Sequence, residues 1–150
     1  MQVKNPTPLN PLYGIKATDI LEISWSTNKL SCGFPSPAQN DTDNKIDLFR
    51  KLIKHPSTTF FCIVEGDSMK NVGISDGDIA IIDKSLEPVD GKIAMAYLDG
   101  EFTLKRIRVD RKTKTVWLVA ENEKYKPIEV TPDNEQFLIW GILIHVIKSF

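Results

Sequence analysis

The chain has 150 residues, of which 41% are hydrophobic, and a formal net charge of -1. This length suits one compact domain plus a tail, and the apolar share is too high for a disordered chain. A nearly neutral chain offers no strong basic field, so direct sequence-specific DNA binding is not expected, although nucleic acid could still be reached through another protein.

The two cysteines, Cys32 and Cys62, and the two histidines, His55 and His145, form no C-x-x-C and no metal-ligand spacing. Neither a metal nor a cofactor is expected. Two free thiols fit a reducing cytoplasm. Met1 to Asn10 is polar and Pro-rich, without the apolar segment of a signal peptide. The longest apolar run, Phe137–Ile147, is interrupted by Gly141 and His145 and falls short of the roughly 18 residues of a membrane span. A cytoplasmic protein without membrane attachment is the expectation.

In chain order, residues 1–42 read as an extended arm, because Pro6, Pro8, Pro11, Pro35 and Pro37 forbid long helices. Within it, Ile20, Leu21, Ile23 and Trp25 could dock as a short strand. Residues 43–150 read as a β-rich domain. Its first segment, 43–55, reads as a helix: Ile46, Phe49 and Ile53 share a face, Asp41 and Asp43 lie at the start, and Lys51, Lys54 and His55 lie at the end. Pro56 stops it. Strands are expected at Thr59–Val64, Ile79–Asp83, Lys92–Leu98, Phe102–Val109, Thr115–Val119 and Phe137–Ile147, all rich in β-branched or aromatic residues. Asp99–Gly100 between two of them predicts a tight hairpin turn.

Two residues could carry chemistry. Ser68 lies in Gly66-Asp67-Ser68-Met69, directly after a strand, where neighbouring backbone N–H groups could face the same space and stabilise an oxyanion. Lys105 lies on the second strand of the hairpin, with Thr103 and Ile107 on its face. If that face is inward, burial disfavours the ammonium form, and the lysine can act as a base where an arginine could not. Each residue alone also suits a structural role: serine is ordinary in turns, and lysine is a common guard of sheet edges. Neither histidine is well placed to serve the serine. His55 is at a helix end, His145 alternates with apolar residues, and Cys62 between Phe61 and Ile63 reads as core packing.

Three ordered segments resemble the boxes of the LexA/UmuD self-cleaving peptidases, peptidase family S24. They are Gly66-Asp67-Ser68-Met69, Gly73-Ile74-Ser75-Asp76-Gly77-Asp78 and Asp99-Gly100-Glu101-Phe102-Thr103-Leu104-Lys105-Arg106. Cys32-Gly33-Phe34-Pro35-Ser36-Pro37 resembles the cleavage region of the UmuD branch; LexA-type repressors usually carry Ala–Gly there. The resemblance implies a mainly β, LexA/signal-peptidase-like peptidase domain with one short helix and an extended N-terminal arm. It implies Ser68 as nucleophile, Lys105 as general base, the backbone N–H groups of Ser68 and Met69 as oxyanion donors, and Cys32–Gly33 as the scissile bond. It further implies a homodimer, no metal, and cleavage stimulated by RecA filaments on single-stranded DNA. The trimmed chain would join a UmuC-like error-prone DNA polymerase in the SOS response to DNA damage.

Physical reach agrees with that implication. About ten residues between Gly33 and Asp43 span roughly 35 Å at most, enough to meet the chain's own site or a partner's. Tethering raises effective concentration, so a poor nucleophile can act once. Only 32 residues precede Gly33, so the helix-turn-helix domain of the repressors is not expected. Two other readings stand beside it: a non-catalytic β-domain that regulates a partner through its arm, and a signal-peptidase-like enzyme, which would need a membrane anchor. The apolar Phe137–Ile147 segment also motivates the homodimer.

Overall fold

The computed structural model describes residues 2–3, 22–25, 44–131, 134 and 136–150. The elements are β1 (Gln2–Val3), β2 (Glu22–Trp25), β3 (Asn44–Asp47), α1 (Leu48–Leu52), β4 (Thr59–Glu65), β5 (Ile79–Asp83), β6 (Ile93–Leu98), β7 (Glu101–Asp110), β8 (Thr115–Val119), β9 (Ile128–Val130) and β10 (Phe137–Ile147). The protein is mainly β, as expected. One antiparallel sheet runs β1-β4-β5-β10-β6-β7-β8-β9, and β1 also pairs with β7. Residues 2–3 therefore join the two ends of a run of five strands. β2 and β3 pair separately, with Ile23 opposite Ile46.

The predicted helix over 43–55 is a single turn, Leu48–Leu52. Two causes shorten it. The Asp47 carboxylate accepts from the Arg50 N–H, which makes Asp47 the N-cap and starts the helix there. Residues 44–47 are meanwhile extended against β2. The apolar face still serves packing, since Ile53 is buried and Phe49 meets the Phe61 ring.

The Asp99–Gly100 hairpin forms as its residues dictate. Leu98 pairs with Glu101, and the two loop residues take φ 48 and 94. Positive φ at both central positions matches the right-handed twist of the flanking strands. This turn fixes the register of β7 and with it the faces of Thr103 and Lys105.

β10 is the centre of the sheet, hydrogen-bonded to β5 on one edge and β6 on the other. Its residues are mostly half-buried, with Gly141 and Ile142 buried and Leu138 and Ile147 exposed. Gly141 sits at an irregularity in the β10–β6 register. A Cβ there would lie 2.5 Å from Ile82 Cγ2 and 3.2 Å from the Asp83 carbonyl oxygen. Cys62, Val64, Met69, Ile82, Met95 and Leu104 form the larger core cluster, and Ala94, Ile107 and Ile142 form a smaller one. Each buried side chain of this size contributes roughly 1.5–3 kcal/mol. Met69 is the residue next to Ser68, so the larger core anchors the Ser68 turn directly.

Candidate active site

The strand β4 ends at Glu65, and Gly66 turns the chain with φ 89. Only glycine adopts such a backbone without strain. The Gly66 N–H donates to the Asp76 carboxylate at 2.7 Å. Asp67 and Ser68 follow, and then a short 3-10 turn over Lys70–Val72 closes on Gly73. The Asp76–Gly77 corner is held against β4: Gly77 N–H donates to the Val64 carbonyl, and Val64 N–H to the Asp78 carbonyl. Asp78 is itself buried and accepts from the Lys148 ammonium at 2.8 and 3.0 Å. The first two boxes of the sequence are thus one folded unit that presents Ser68.

The hairpin brings Lys105 to that unit. Lys105 Nζ lies 3.1 Å from Ser68 Oγ, 2.7 Å from Thr103 Oγ1 and 3.2 Å from the Leu104 carbonyl. Ser68 is 0% and Lys105 4% exposed, so the pair is almost wholly removed from solvent. Burial pushes the Lys105 pKa below its ordinary value. The face shared by Thr103, Lys105 and Ile107 is inward at Lys105 and Ile107, both of which are buried, so the condition for a desolvated lysine is met.

A second loop clamps the turn from outside. Asn122, 3% exposed, donates from Nδ2 to the Asp67 carbonyl at 2.9 Å. The Tyr125 hydroxyl donates to the Asp67 carboxylate at 2.6 Å and, as the largest cause, holds its pKa below the usual range. Asn71 adds its N–H to the Glu121 carbonyl and its side-chain amide to Glu123. In a trans peptide the carbonyl and the next N–H point opposite ways. Fixing the Asp67 carbonyl on Asn122 therefore aims the Ser68 N–H away from the 121–125 loop. Sequence reasoning missed this clamp. Asn122 and Tyr125 are more than fifty residues from Ser68, and no local pattern marks them.

The histidines are engaged elsewhere. His145 Nε2 contacts the Leu52 carbonyl at 2.9 Å, the structural role expected of it. His55 Nδ1 lies 2.6 Å from Asp83 Oδ2 and 3.2 Å from Ser85 Oγ. This Ser/His/Asp cluster is not a catalytic triad. A triad needs carboxylate and hydroxyl on opposite ring nitrogens, and here both meet Nδ1. Cys62 is buried in the core as read from the sequence, and its thiol pKa is pushed up to about 11 by burial. Cys32 and Gly33 lie outside the described residues. Among the described residues no cluster of His, Cys, Asp and Glu could hold a metal ion, and no helix is long and apolar enough to cross a membrane.

An antiparallel β-domain that buries a serine and a lysine together at a strand end has the architecture of a β-rich peptidase. The chain belongs to the Peptidase S24-like family, whose sequence profile matches residues 24–144. It is 35% identical over 129 residues to Protein MucA of Salmonella typhimurium, covering 86% of each chain. It is 43% identical over 126 residues to Protein SamA of Salmonella typhimurium (strain LT2), covering 82% of this chain and 85% of that one. The LexA repressor of Aeromonas hydrophila is 38% identical over 121 residues, 81% of this chain but 57% of the repressor's length. The likeness to the LexA/UmuD group read from the three boxes is borne out.

Proposed function

We propose that this chain is a self-cleaving serine peptidase of the UmuD kind, with Ser68 as nucleophile, Lys105 as general base and its own Cys32–Gly33 bond as substrate. The observation that carries the reading is the 3.1 Å approach of Lys105 Nζ to Ser68 Oγ in a buried pocket. Desolvation disfavours the ammonium, so a neutral amine becomes available to accept the serine proton.

The chemistry follows from those positions. As Lys105 takes the proton, Ser68 Oγ bonds to the carbonyl carbon of Cys32. The carbonyl electrons move onto its oxygen, and the backbone N–H groups of Ser68 and Met69 stabilise the oxyanion. Collapse breaks the Cys32–Gly33 bond, and Lys105 returns the proton to the departing Gly33 amine. Water, deprotonated by Lys105, then releases Cys32 from the serine ester. Thr103, in contact with Lys105 Nζ at 2.7 Å, orients the amine.

The biological frame is the one the family resemblance implies. A RecA filament on single-stranded DNA stimulates the cut, and the trimmed homodimer serves a UmuC-like error-prone DNA polymerase in SOS mutagenesis within the cytoplasm. Support for this frame comes from family membership and from identities of 35–43% to MucA and SamA across most of the chain.

The test is incubation of the purified chain across neutral to alkaline pH with mass spectrometry of the products. A fragment beginning at Gly33 should appear, faster as pH rises through the lowered Lys105 pKa. Ser68→Ala and Lys105→Ala should each abolish it. Persistent cleavage in either variant refutes the nucleophile and base roles of these two residues.

A further inference from the structure

The strand β1 occupies a slot between the end of β4 and the start of β7. Gln2 pairs with Glu65 and Val3 with Val64 on one side, while Gln2 also pairs with Thr103 on the other. Those partners frame the site. Glu65 lies three residues before Ser68, and Thr103 contacts the Lys105 amine. The N–H of Val64 is spent inward on the Asp78 carbonyl. Strand alternation therefore turns the Glu65 N–H outward, toward β1. The slot is a place where an extended backbone gains hydrogen bonds from two edges at once, the recognition mode of β-strand addition.

Any extended segment that brings a peptide bond to Ser68 must run through this neighbourhood, because β4 and β7 are the elements that carry the two sides of the serine–lysine pair. We propose that the first residues of the chain act as a tethered plug: residues 2–3 fill the strand slot and compete with the Cys32–Gly33 segment for it. The inhibitory half of this inference rests on the self-peptidase reading. Occupancy of the slot by residues 2–3 does not.

The plug and the substrate segment belong to one chain, so the contest is intramolecular. Each side is present at an effective concentration set by its tether, and the balance is set by backbone hydrogen bonds, each worth from a few-fold to about tenfold in occupancy. Losing the plug should therefore raise the spontaneous cleavage rate by roughly tenfold. A factor that pulls the N-terminus out of the slot would have the same effect without touching Ser68 or Lys105.

Two measurements on the full-length chain decide the matter. The first is amide hydrogen exchange in the Ser68→Ala background, which holds the chain intact, with and without residues 2–8. Truncation should speed exchange at the Glu65 amide and at residues 102–104 by roughly tenfold or more; unchanged protection overturns the occupancy. The second is the rate at which the Gly33 fragment appears at alkaline pH in the otherwise native chain, in the truncated chain and in Val3→Pro, where one ladder donor is lost. Faster cleavage in both variants, slowed again by a synthetic peptide of residues 1–10 added in trans, is the expected result. Equal or slower cleavage overturns the inhibition. Absence of cleavage in every chain refutes the self-peptidase reading and the inhibitory half with it, while the exchange data still decide occupancy.

Discussion

The side-chain amide of Asn122 donates to the carbonyl of Asp67 at 2.9 Å, one residue before Ser68. It is a buried tie between two loops far apart in sequence, and it orients the peptide plane that leads into the serine. Asn122 Oδ1 also accepts from the Lys124 N–H, so the loop that supplies the tie is organised by the same side chain.

Asn122→Ala is expected to slow self-cleavage by about 10²-fold, the cost of a reacting group displaced by about 1 Å. The pH midpoint of the reaction should not move, because burial of Lys105 sets it. Leaving the Asp67 carbonyl without this donor should cost about 1–3 kcal/mol of stability. Cleavage rates against pH, together with chemical denaturation, separate the two effects. A shifted midpoint would show that Asn122 acts on the lysine instead of on the Ser68 turn.

Lys105→Met is expected to abolish cleavage and to stabilise the fold by roughly 1–2 kcal/mol at neutral pH, the usual size of a stability–activity trade. The sign follows from the lowered pKa. Between the folded-state value and the higher unfolded-state value, the unfolded chain binds more protons, so wild-type stability rises with pH across that window. Above the window the penalty on the lysine disappears. The gain from methionine should therefore be largest at neutral pH and shrink toward strongly alkaline pH, as read from urea midpoints at several pH values.

Much of this is legible in the sequence because it is local. Ile79–Asp83, Thr115–Val119 and Phe137–Ile147 have the bounds their β-branched patterns predict, and Asp99–Gly100 fixes the turn that aims Lys105. Alternation alone places Thr103, Lys105 and Ile107 on one face, and the structure shows that face turned inward. The failures are non-local. The helix over 43–55 shrinks because residues 44–47 pair with β2, at Glu22–Trp25, far back in the chain. The strand Ile128–Val130 escapes sequence reading because three residues after Pro127 are too few to show a period. The Asn122 and Tyr125 ties to Asp67, and the contact of His55 with Asp83, join segments no window of sequence contains. β10 forms over Phe137–Ile147 with both edges paired, which its apolar pattern alone does not reveal, because pairing partners come from distant parts of the chain.

Gly141→Ala should destabilise the fold by about 1–3 kcal/mol or more, through overpacking. The added methyl would lie 2.5 Å from Ile82 Cγ2, and Ile82 is fully buried, so its side chain has little room to retreat. The Asp83 backbone at 3.2 Å closes the other side. Thermal unfolding checks this, and the cost should be smaller when measured in an Ile82→Ala background, because alanine lacks the Cγ2 methyl that the added group meets.

Asp83→Asn should cost roughly 3 kcal/mol and remove part of the acid sensitivity of the fold. Asp83 is 2% exposed and accepts from Thr58 Oγ1 at 2.9 Å, Ser85 N at 2.8 Å, Ser85 Oγ at 2.7 Å and His55 Nδ1 at 2.6 Å. Burial alone would raise its pKa, but the hydrogen bonds from His55, Ser85 and Thr58 outweigh burial and hold it below the usual aspartate range. A depressed carboxylate stabilises the fold at pH values above its unfolded-state pKa, and that contribution fades as pH falls through the folded-state value. An asparagine keeps the shape but turns an NH₂ toward donors it cannot satisfy. Denaturation midpoints at neutral and acid pH should therefore differ less in the variant than in the native chain, and an unchanged difference would mean that Asp83 is not what ties β5 to the His55 turn at low pH.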